Sequence, residues 1–139
     1  MNNVTLIKSP SFGDERGTLI AFESAIDIPF EVKRVYCIYH TEAGVSRGFH
    51  AHRNLKQFIV CVSGNCRFRV HDGKHAEDYA LNSPEKGLLV EGLIWREMHD
   101  FSSDCVLMVL ASEHYDEQDY IRDFKQFISI TREEKSSAT

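Results

Sequence analysis

The residues best suited to chemistry lie in one segment, Gly44-x5-His50-x-His52-x4-Gln57-x6-Gly64. Two histidines one residue apart on an extended chain point to the same side, because side chains alternate between faces. Their imidazoles can bind a metal together with further ligands, or they can transfer protons, since the unperturbed pKa of histidine lies near neutrality. They can also be satisfied polar groups in a core or on the surface. The rest of the chain has to distinguish these alternatives.

The spacing of this segment resembles the first metal motif of cupins, but its chemistry differs. Gln57 stands where a ligand Glu would be expected, and in the second motif, residues 91–96, Arg96 takes the place of a ligand His. A guanidinium stays protonated and only donates hydrogen bonds, so it cannot bind a cation. With His50 and His52 alone left of the ligand set, we expect no metal. Arg96 should instead face an anionic or electron-rich group, unless it lies on the rim of the barrel.

Further candidate residues surround the histidines. Arg34 and Tyr36 share one strand face, where Arg can bind phosphate in a bidentate manner and Tyr can donate a proton. The alternative for this pair is an ordinary surface ladder. Arg47 places a permanent cation just before the histidine pair, and Arg16 lies in a turn that could overhang a barrel mouth.

Short β-like runs separated by turn signals predict an all-β sandwich or barrel. The predicted strands are Val4–Ile7, Gly17–Glu23, Glu31–His40, Gln57–Val62, Cys66–Val70, Ala76–Leu81, Gly87–Val90 and Asp104–Ala111. Glycines in residues 63–65 and 71–74 indicate hairpin connections. Apolar residues at helical intervals predict an amphipathic helix over residues 116–130. We expect a single domain over residues 1–130 and a polar, frayed tail over residues 131–139.

Composition limits the partners and the compartment. The chain has 139 residues, a formal net charge of -5 and a pI near 5.8, which argues against nonspecific binding to nucleic acid. Its four cysteines show no CxxC pair or disulfide-like spacing, so reduced thiols are expected. Residues 1–11 do not have the cationic, apolar pattern of a leader, and no apolar run is long enough for a bilayer, so we expect neither a leader nor a membrane span. The default expectation is a cytoplasmic protein without a membrane partner.

Several longer segments together resemble the bacterial dTDP-4-keto-6-deoxyglucose 3,4-ketoisomerases, which are small cupins. The segments that carry the resemblance are Asp14-Glu15-Arg16-Gly17, Ile28-Pro29-Phe30, Lys33-Arg34-Val35-Tyr36, Arg47-Gly48-Phe49-His50-Ala51-His52, Trp95 to Cys105, Val109 to Ser112, Tyr115-Asp116-Glu117 and Asp119-Tyr120-Ile121-Arg122. The resemblance implies a jelly-roll cupin with a short C-terminal helix, acting on a dTDP-linked 4-keto-6-deoxyhexose without a metal or other cofactor. It also implies a homodimer with strand exchange. The 3-keto product would lead to a 3-amino-3,6-dideoxyhexose for O-antigen lipopolysaccharide, an S-layer glycan or an antibiotic.

The reaction that the resemblance implies suits these residues. Moving a ketone from C4 to C3 takes a proton from C3, passes through an enediol and delivers a proton to C4, which imidazoles can do. We expect His50 to be the base, His52 to orient it or relay a proton, and Tyr36 or Arg96 to donate to the enediolate oxygen. The substrate-binding candidates are the side chains expected around the sugar and the pyrophosphate, with Arg34 and Arg47 foremost. They are Arg34, Arg47, Arg96, Arg16 and Gln57.

Two further functions and one stereochemical question stay open. A dTDP-sugar 3,5-epimerase would exchange protons at C3 and C5, and a noncatalytic sugar-binding cupin would bind dTDP without proton exchange. Related ketoisomerases deliver the C4 proton to opposite faces, and Arg96 is a His in some of them. Arg96 favours the gluco product, whereas Arg16 favours the galacto product.

Overall fold

The structure is a computed structural model that describes residues 1–137, in which twelve strands and one α-helix form. The strands are β1 (Val4–Lys8), β2 (Ser11–Asp14), β3 (Gly17–Ile20), β4 (Arg34–Tyr39), β5 (Arg47–His52), β6 (Gln57–Ser63), β7 (Cys66–His71), β8 (Ala76–Leu81), β9 (Lys86–Val90), β10 (Trp95–His99), β11 (Val106–Ala111) and β12 (Tyr120–Ile121). A 3-10 turn covers Glu117–Asp119, and helix α1 covers Phe124–Ser137.

Two antiparallel sheets face each other, and their inner faces form the main core. The first sheet has the order β1-β9-β6-β11-β4, and the second has the order β12-β5-β10-β7-β8. Period-two alternation is clear in β7, where Cys66, Phe68 and Val70 are buried in this core. This arrangement is the jelly roll of cupins, so the predicted all-β cupin fold is confirmed.

One predicted hairpin is confirmed and the other is wrong. Strands β7 and β8 pair across residues 72–75, as expected. Residues 63–65, by contrast, carry the chain from the first sheet to the second, because β6 and β7 belong to different sheets. Gly64 has a φ of 67°, and an added Cβ would lie 2.5 Å from Asp104 Oδ1. The glycine is thus required by a close approach at the crossing rather than by a tight hairpin.

The second core lies outside the first sheet. The outward residues of its central strands are apolar, and the segment between β3 and β4 folds back to cover them. This cluster contains Ile28, Phe30, Phe58, Val60, Leu89 and Leu110. Strand β4 lies at the edge of that sheet, and its outward residues Val35 and Tyr39 are 57% and 60% exposed.

The predicted C-terminal helix exists, but its boundaries differ from those expected. Residues 116–121 form the 3-10 turn and β12, because Tyr120 and Ile121 pair with His52 and Ala51 of β5. Helix α1 then packs against the outer face of the second sheet through Phe127, which contacts Trp95. The helix runs to residue 137, so most of the predicted frayed tail is helical. Residues 138 and 139 lie outside the described part. No helix in residues 1–137 combines the length and apolarity needed to cross a membrane.

Candidate active site

A cavity of about 330 Å³ opens between the edge strands of the two sheets. Strands β4, β5, β10 and β12 and the residue after β12 supply its lining. The lining residues are Arg34, Tyr36, Cys37, Ile38, Arg47, Gly48, His50, Met98, Tyr120 and Arg122. The cavity therefore brings together several side chains that the sequence singled out: Tyr36 and His50, with Arg34 and Arg47.

A bulge in β5 places Arg47 on the same side as His50. Residues three apart on a regular strand point to opposite faces. Here His50 pairs with Arg96 and Gly48 pairs with Glu97, so Phe49 has no partner in the ladder. Gly48 and Phe49 have φ angles of 90° and 58°, which turn the chain locally. The cation and the imidazole consequently meet at one cavity.

His50 carries the neutral imidazole of the cavity. Burial lowers its pKa to about 4, and the positive charge of Arg96 adds to this effect. At neutral pH His50 is therefore unprotonated and able to accept a proton. Its ring lies 4.9 Å from the ring of His52 and 5.0 Å from that of Tyr120, measured between centroids. These contacts hold His50 at the cavity wall.

His52 lies behind His50, and only 1% of it is exposed. Its Nδ1 lies 3.0 Å from Asp119 Oδ2, while Asp119 Oδ1 accepts from the backbone N–H groups of Arg53 and Asn54. Burial lowers the pKa of His52 to about 2, with Arg96 as the second cause, so the ring is neutral. The nearby carboxylate favours the tautomer with hydrogen on Nδ1. His52 therefore supports His50 and Tyr120 from below rather than lining the cavity.

Tyr36, Gln57 and Arg96 form a chain of hydrogen bonds that ends at the cavity. Arg96 Nη1 donates to Gln57 Oε1 at 2.5 Å, and Gln57 Nε2 donates to the Tyr36 hydroxyl oxygen at 2.9 Å. Arg96 Nη2 donates to the Ile94 carbonyl. Burial lowers the pKa of Arg96 to about 10, so its charge persists at neutral pH. Arg96 and Gln57 are 1% and 3% exposed, so both lie beneath the cavity instead of lining it.

The direction of these bonds leaves the Tyr36 hydrogen free. Arg96 can only donate, so Gln57 must turn its oxygen to Arg96 and its NH2 to Tyr36. The Tyr36 oxygen thus accepts, and its own hydrogen is available to a group in the cavity. Burial raises the pKa of Tyr36, against the opposing effects of Arg96 and Arg34, so the hydroxyl stays protonated.

Arginines give the cavity a positive rim. The Arg34 guanidinium lies 5.2 Å from the centre of the Tyr36 ring and 5.7 Å from that of Tyr115. Arg122 lies 4.3 Å from the centre of the Tyr120 ring and forms two hydrogen bonds to Glu117. Cations in this arrangement suit a phosphate or pyrophosphate group. Asp119, Tyr120 and Arg122 were not among the candidate site residues named from the sequence, although their segment was one of those that carried the family resemblance.

Arg16 lies elsewhere. It sits in the turn of the β2–β3 hairpin, where its side chain is 84% exposed and binds Asp14. Phe12 and Leu19 of the same hairpin are 67% and 61% exposed. Within one chain, Arg16 does not join the residues that line the cavity.

The donor set of the interior does not fit a cupin metal ion. Arg96 and Gln57 fill two ligand positions of the motifs and bind each other. In residues 1–137, no cluster of three or more His, Cys, Asp or Glu side chains could hold a metal ion. A buried guanidinium would also repel a cation near the histidines.

Fold and cavity together define a cupin that carries a neutral imidazole, a protonated phenol and an arginine rim. The profile of the FdtA family (WxcM-like, C-terminal) matches residues 2–132. A TDP-4-oxo-6-deoxy-alpha-D-glucose-3,4-oxoisomerase from Aneurinibacillus thermoaerophilus is 51% identical over 125 residues, which cover 88% of this chain and 90% of that protein. The chain belongs to this family, the sugar 3,4-ketoisomerases.

Solved structures agree with this assignment. QdtA, a sugar 3,4-ketoisomerase from Thermoanaerobacterium thermosaccharolyticum in complex with TDP, matches with a TM-score of 0.94 and 42% identity, covering 96% of this chain and 98% of QdtA. WlaRB, a TDP-quinovose 3,4-ketoisomerase from Campylobacter jejuni, matches with a TM-score of 0.89 and 42% identity, covering 93% of this chain and 99% of WlaRB.

Proposed function

We propose that the protein converts dTDP-4-keto-6-deoxy-D-glucose into the dTDP-3-keto-6-deoxyhexose. The observation that carries the proposal is the single cavity that holds the neutral His50, the Tyr36 hydroxyl and the cations Arg34 and Arg47. The similarity to enzymes with this activity supports the same substrate. A base, a proton donor and an anion site are the parts that the reaction needs.

His50 is the proposed base. It takes the proton from C3, which the C4 ketone acidifies, while the Tyr36 hydroxyl donates its hydrogen to the C4 oxygen. The product of this step is a 3,4-enediol. The Tyr36 phenolate then takes the proton from O3 while the His50 imidazolium delivers its proton to C4, which gives the 3-ketone and restores both side chains. Oxidation at C3 balances reduction at C4 within one molecule, so the reaction requires no cofactor.

The remaining candidates have supporting roles in this proposal. Arg34, Arg47 and Arg122 bind the dTDP pyrophosphate, whose charge their rim complements. His52 orients His50, since Asp119 fixes its ring. Arg96 and Gln57, which lie beneath the cavity, act on the sugar through Tyr36.

We propose a homodimer with strand exchange as the assembled form. The β2–β3 hairpin exposes Phe12 and Leu19, and the edge strand β4 exposes Val35 and Tyr39. Apolar surfaces of this kind on an arm and on an open sheet edge favour pairing with a second copy. Light scattering would test the dimer, and Leu19→Lys should yield monomers if the hairpin is exchanged.

The proposed setting is the cytoplasm, on the way to a 3-amino-3,6-dideoxyhexose for a surface glycan such as O-antigen. Cys37 is exposed and unpaired, and Cys61, Cys66 and Cys105 are buried free thiols. Unpaired thiols are typical of a reducing compartment. The charged dTDP group would also keep the substrate on the side of the membrane where it is made.

Proton NMR of dTDP-4-keto-6-deoxyglucose with the protein in deuterated water tests the activity. The ketoisomerase should move the carbonyl to C3 and exchange protons at C3 and C4 only. Exchange at C3 and C5 would indicate a 3,5-epimerase, and binding without exchange would indicate a sugar-binding cupin. The same spectra report the configuration at C4, on which Arg96 and Arg16 give opposite expectations.

A further inference from the structure

The bulge that brings Arg47 and His50 together is an unfavourable local conformation that something else must hold. Phe49 has a φ of 58°, in the left-handed region that side chains with a Cβ rarely adopt. A Cβ on Gly48 would lie 2.9 Å from the Arg96 carbonyl oxygen, so the backbones of β5 and β10 approach closely there. Phe49 itself is 43% exposed, so burial of its ring is incomplete. Contacts on the outer face of the sheet are therefore needed to hold the bulge.

His99, on the outer face of β10, contacts both the residues before this bulge and the bulged residue itself. Its Nδ1 lies 2.7 Å from the hydroxyl of Ser46, three residues before the bulged Phe49. Its ring packs against the Phe49 ring, edge to face, with centroids 5.7 Å apart. One side chain thus restrains both the entry to the bulge and the bulged residue.

His99 is itself fixed by a chain of hydrogen bonds that ends in the packed interior. Its Nε2 lies 2.8 Å from Glu97 Oε1, and the Trp95 indole N–H donates to Glu97 Oε2 at 2.9 Å. Trp95 is 4% exposed and packs on Phe124 and Phe127 of α1. In the tautomer with hydrogen on Nε2, His99 donates to Glu97, and its Nδ1 accepts from the Ser46 hydroxyl. The contact of Trp95 with α1 therefore restrains Glu97 and His99, and His99 in turn restrains β5.

We propose that His99 is a positioning residue for the active site. It holds the Gly48–Phe49 bulge, and through it the placement of Arg47 relative to His50, without touching the substrate. The inference rests on the proposed function only in the use of dTDP as the probe of Arg47. Small errors in placing a bound group are costly for proton transfer, so this support should matter for turnover as well as for binding.

A double-mutant cycle with dTDP tests the proposal. Isothermal titration calorimetry should show that His99→Ala weakens dTDP binding about tenfold in the wild-type background, a coupling in the range seen for residues that share a partner. In an Arg47→Ala background the same change should alter affinity less than about twofold, because the contact that His99 positions is gone. His75→Ala, in the exposed β7–β8 turn, is the matched control and should change neither affinity.

Equal losses in both backgrounds would mean general damage to the fold and would overturn the proposal, as would wild-type affinity in His99→Ala. If the wild-type protein does not bind dTDP, the proposed function fails, and amide hydrogen exchange decides the inference independently. Exchange at residues 46–50 should then be faster in His99→Ala than in His75→Ala, and equal rates would refute the proposal that His99 holds the bulge. Should His99→Ala not fold, Ser46→Ala replaces it in both experiments, since Ser46 is exposed and loses only its bond to His99.

Discussion

We expect the substitution Gln57→Glu to lower the turnover rate without lowering the thermal stability of the protein. In the wild-type protein, the Gln57 NH2 donates to the Tyr36 oxygen and so leaves the Tyr36 hydrogen for the cavity. A carboxylate has nearly the same shape, but both of its oxygens accept. Arg96 would keep a partner, whereas the Tyr36 hydroxyl would turn its hydrogen toward position 57. The proton donor would then point away from the substrate.

The magnitude follows from the loss of one donor to a developing oxyanion. Removing such a donor typically lowers kcat by about 100- to 1000-fold, or roughly 2.7–4 kcal/mol of transition-state stabilisation. Affinity for dTDP should change little, because the arginine rim is untouched. The thermal unfolding midpoint should not fall, because the fully buried guanidinium of Arg96 exchanges an amide partner for a carboxylate.

Kinetics at saturating substrate, calorimetry with dTDP and thermal unfolding together measure this separation. Tyr36→Phe is the matched control, because it removes the same donor directly, and the double variant Tyr36→Phe/Gln57→Glu should be no slower than either single variant. A Gln57→Glu enzyme with wild-type kcat, or losses that multiply in the double variant, would refute the role of Gln57 in orienting Tyr36. The assays should include a chelator, since the new carboxylate completes the ligand positions of a cupin metal motif.

The remaining predictions concern the base, the metal, the anion site and pH. His50→Asn should abolish turnover while calorimetry shows dTDP affinity nearly unchanged; a proportional loss of affinity would make His50 a binding residue. Activity should survive exhaustive EDTA treatment, and restoration by one divalent ion after loss would contradict the metal-free mechanism. Arg47→Lys should weaken dTDP binding by about 1–3 kcal/mol and lower kcat, because a lysine cannot form the bidentate contact. Folded-state pKa values of about 4 for His50 and about 2 for His52 lie below 6.5, so their contribution to stability is present above pH 6.5. Thermal unfolding should show that contribution being lost as the pH falls toward 4.

The strand periodicity of the sequence was enough to place some of the site. Arg34 and Tyr36 share the cavity face of β4, as alternation predicts. Alternation also puts Arg47 and His50 on opposite faces, which is wrong here because the bulge at Phe49 adds a residue to β5. Gly48 inside the strand is compatible with a bulge, but the sequence alone does not show that Phe49 is the residue left without a partner on β10. Periodicity alone fails where pairing with a strand that is distant in sequence determines the backbone conformation.

Long-range pairing also explains the misplaced start of the helix. Tyr120 and Ile121 fit the apolar spacing of the helix that follows, so periodicity alone extends the helix back to residue 116. Their pairing with β5, and the anchoring of Asp119 to His52, depend on residues more than 60 positions away. The prediction that Arg16 lies in a turn is confirmed. The residues of the β2–β3 hairpin do not by themselves determine the direction in which the hairpin projects.

Arg96 and Gln57, which occupy two cupin ligand positions, indicate how this interior could stabilise the proposed enediolate without a metal. Arg96 supplies a fixed positive charge where a ligand His would stand. Burial lowers the pKa of His50 and His52 and raises that of Tyr36; the charge of Arg96 adds to the first effect and opposes the second. The charge reaches the cavity through Gln57, as a polarised hydrogen bond to the Tyr36 oxygen. A metal would polarise the sugar oxygen directly, whereas in the proposed mechanism this chain polarises it through the Tyr36 hydroxyl. The same charge that excludes a cation therefore adds to burial in keeping both histidines neutral, and a neutral imidazole is the form in which His50, as the proposed base, removes the C3 proton.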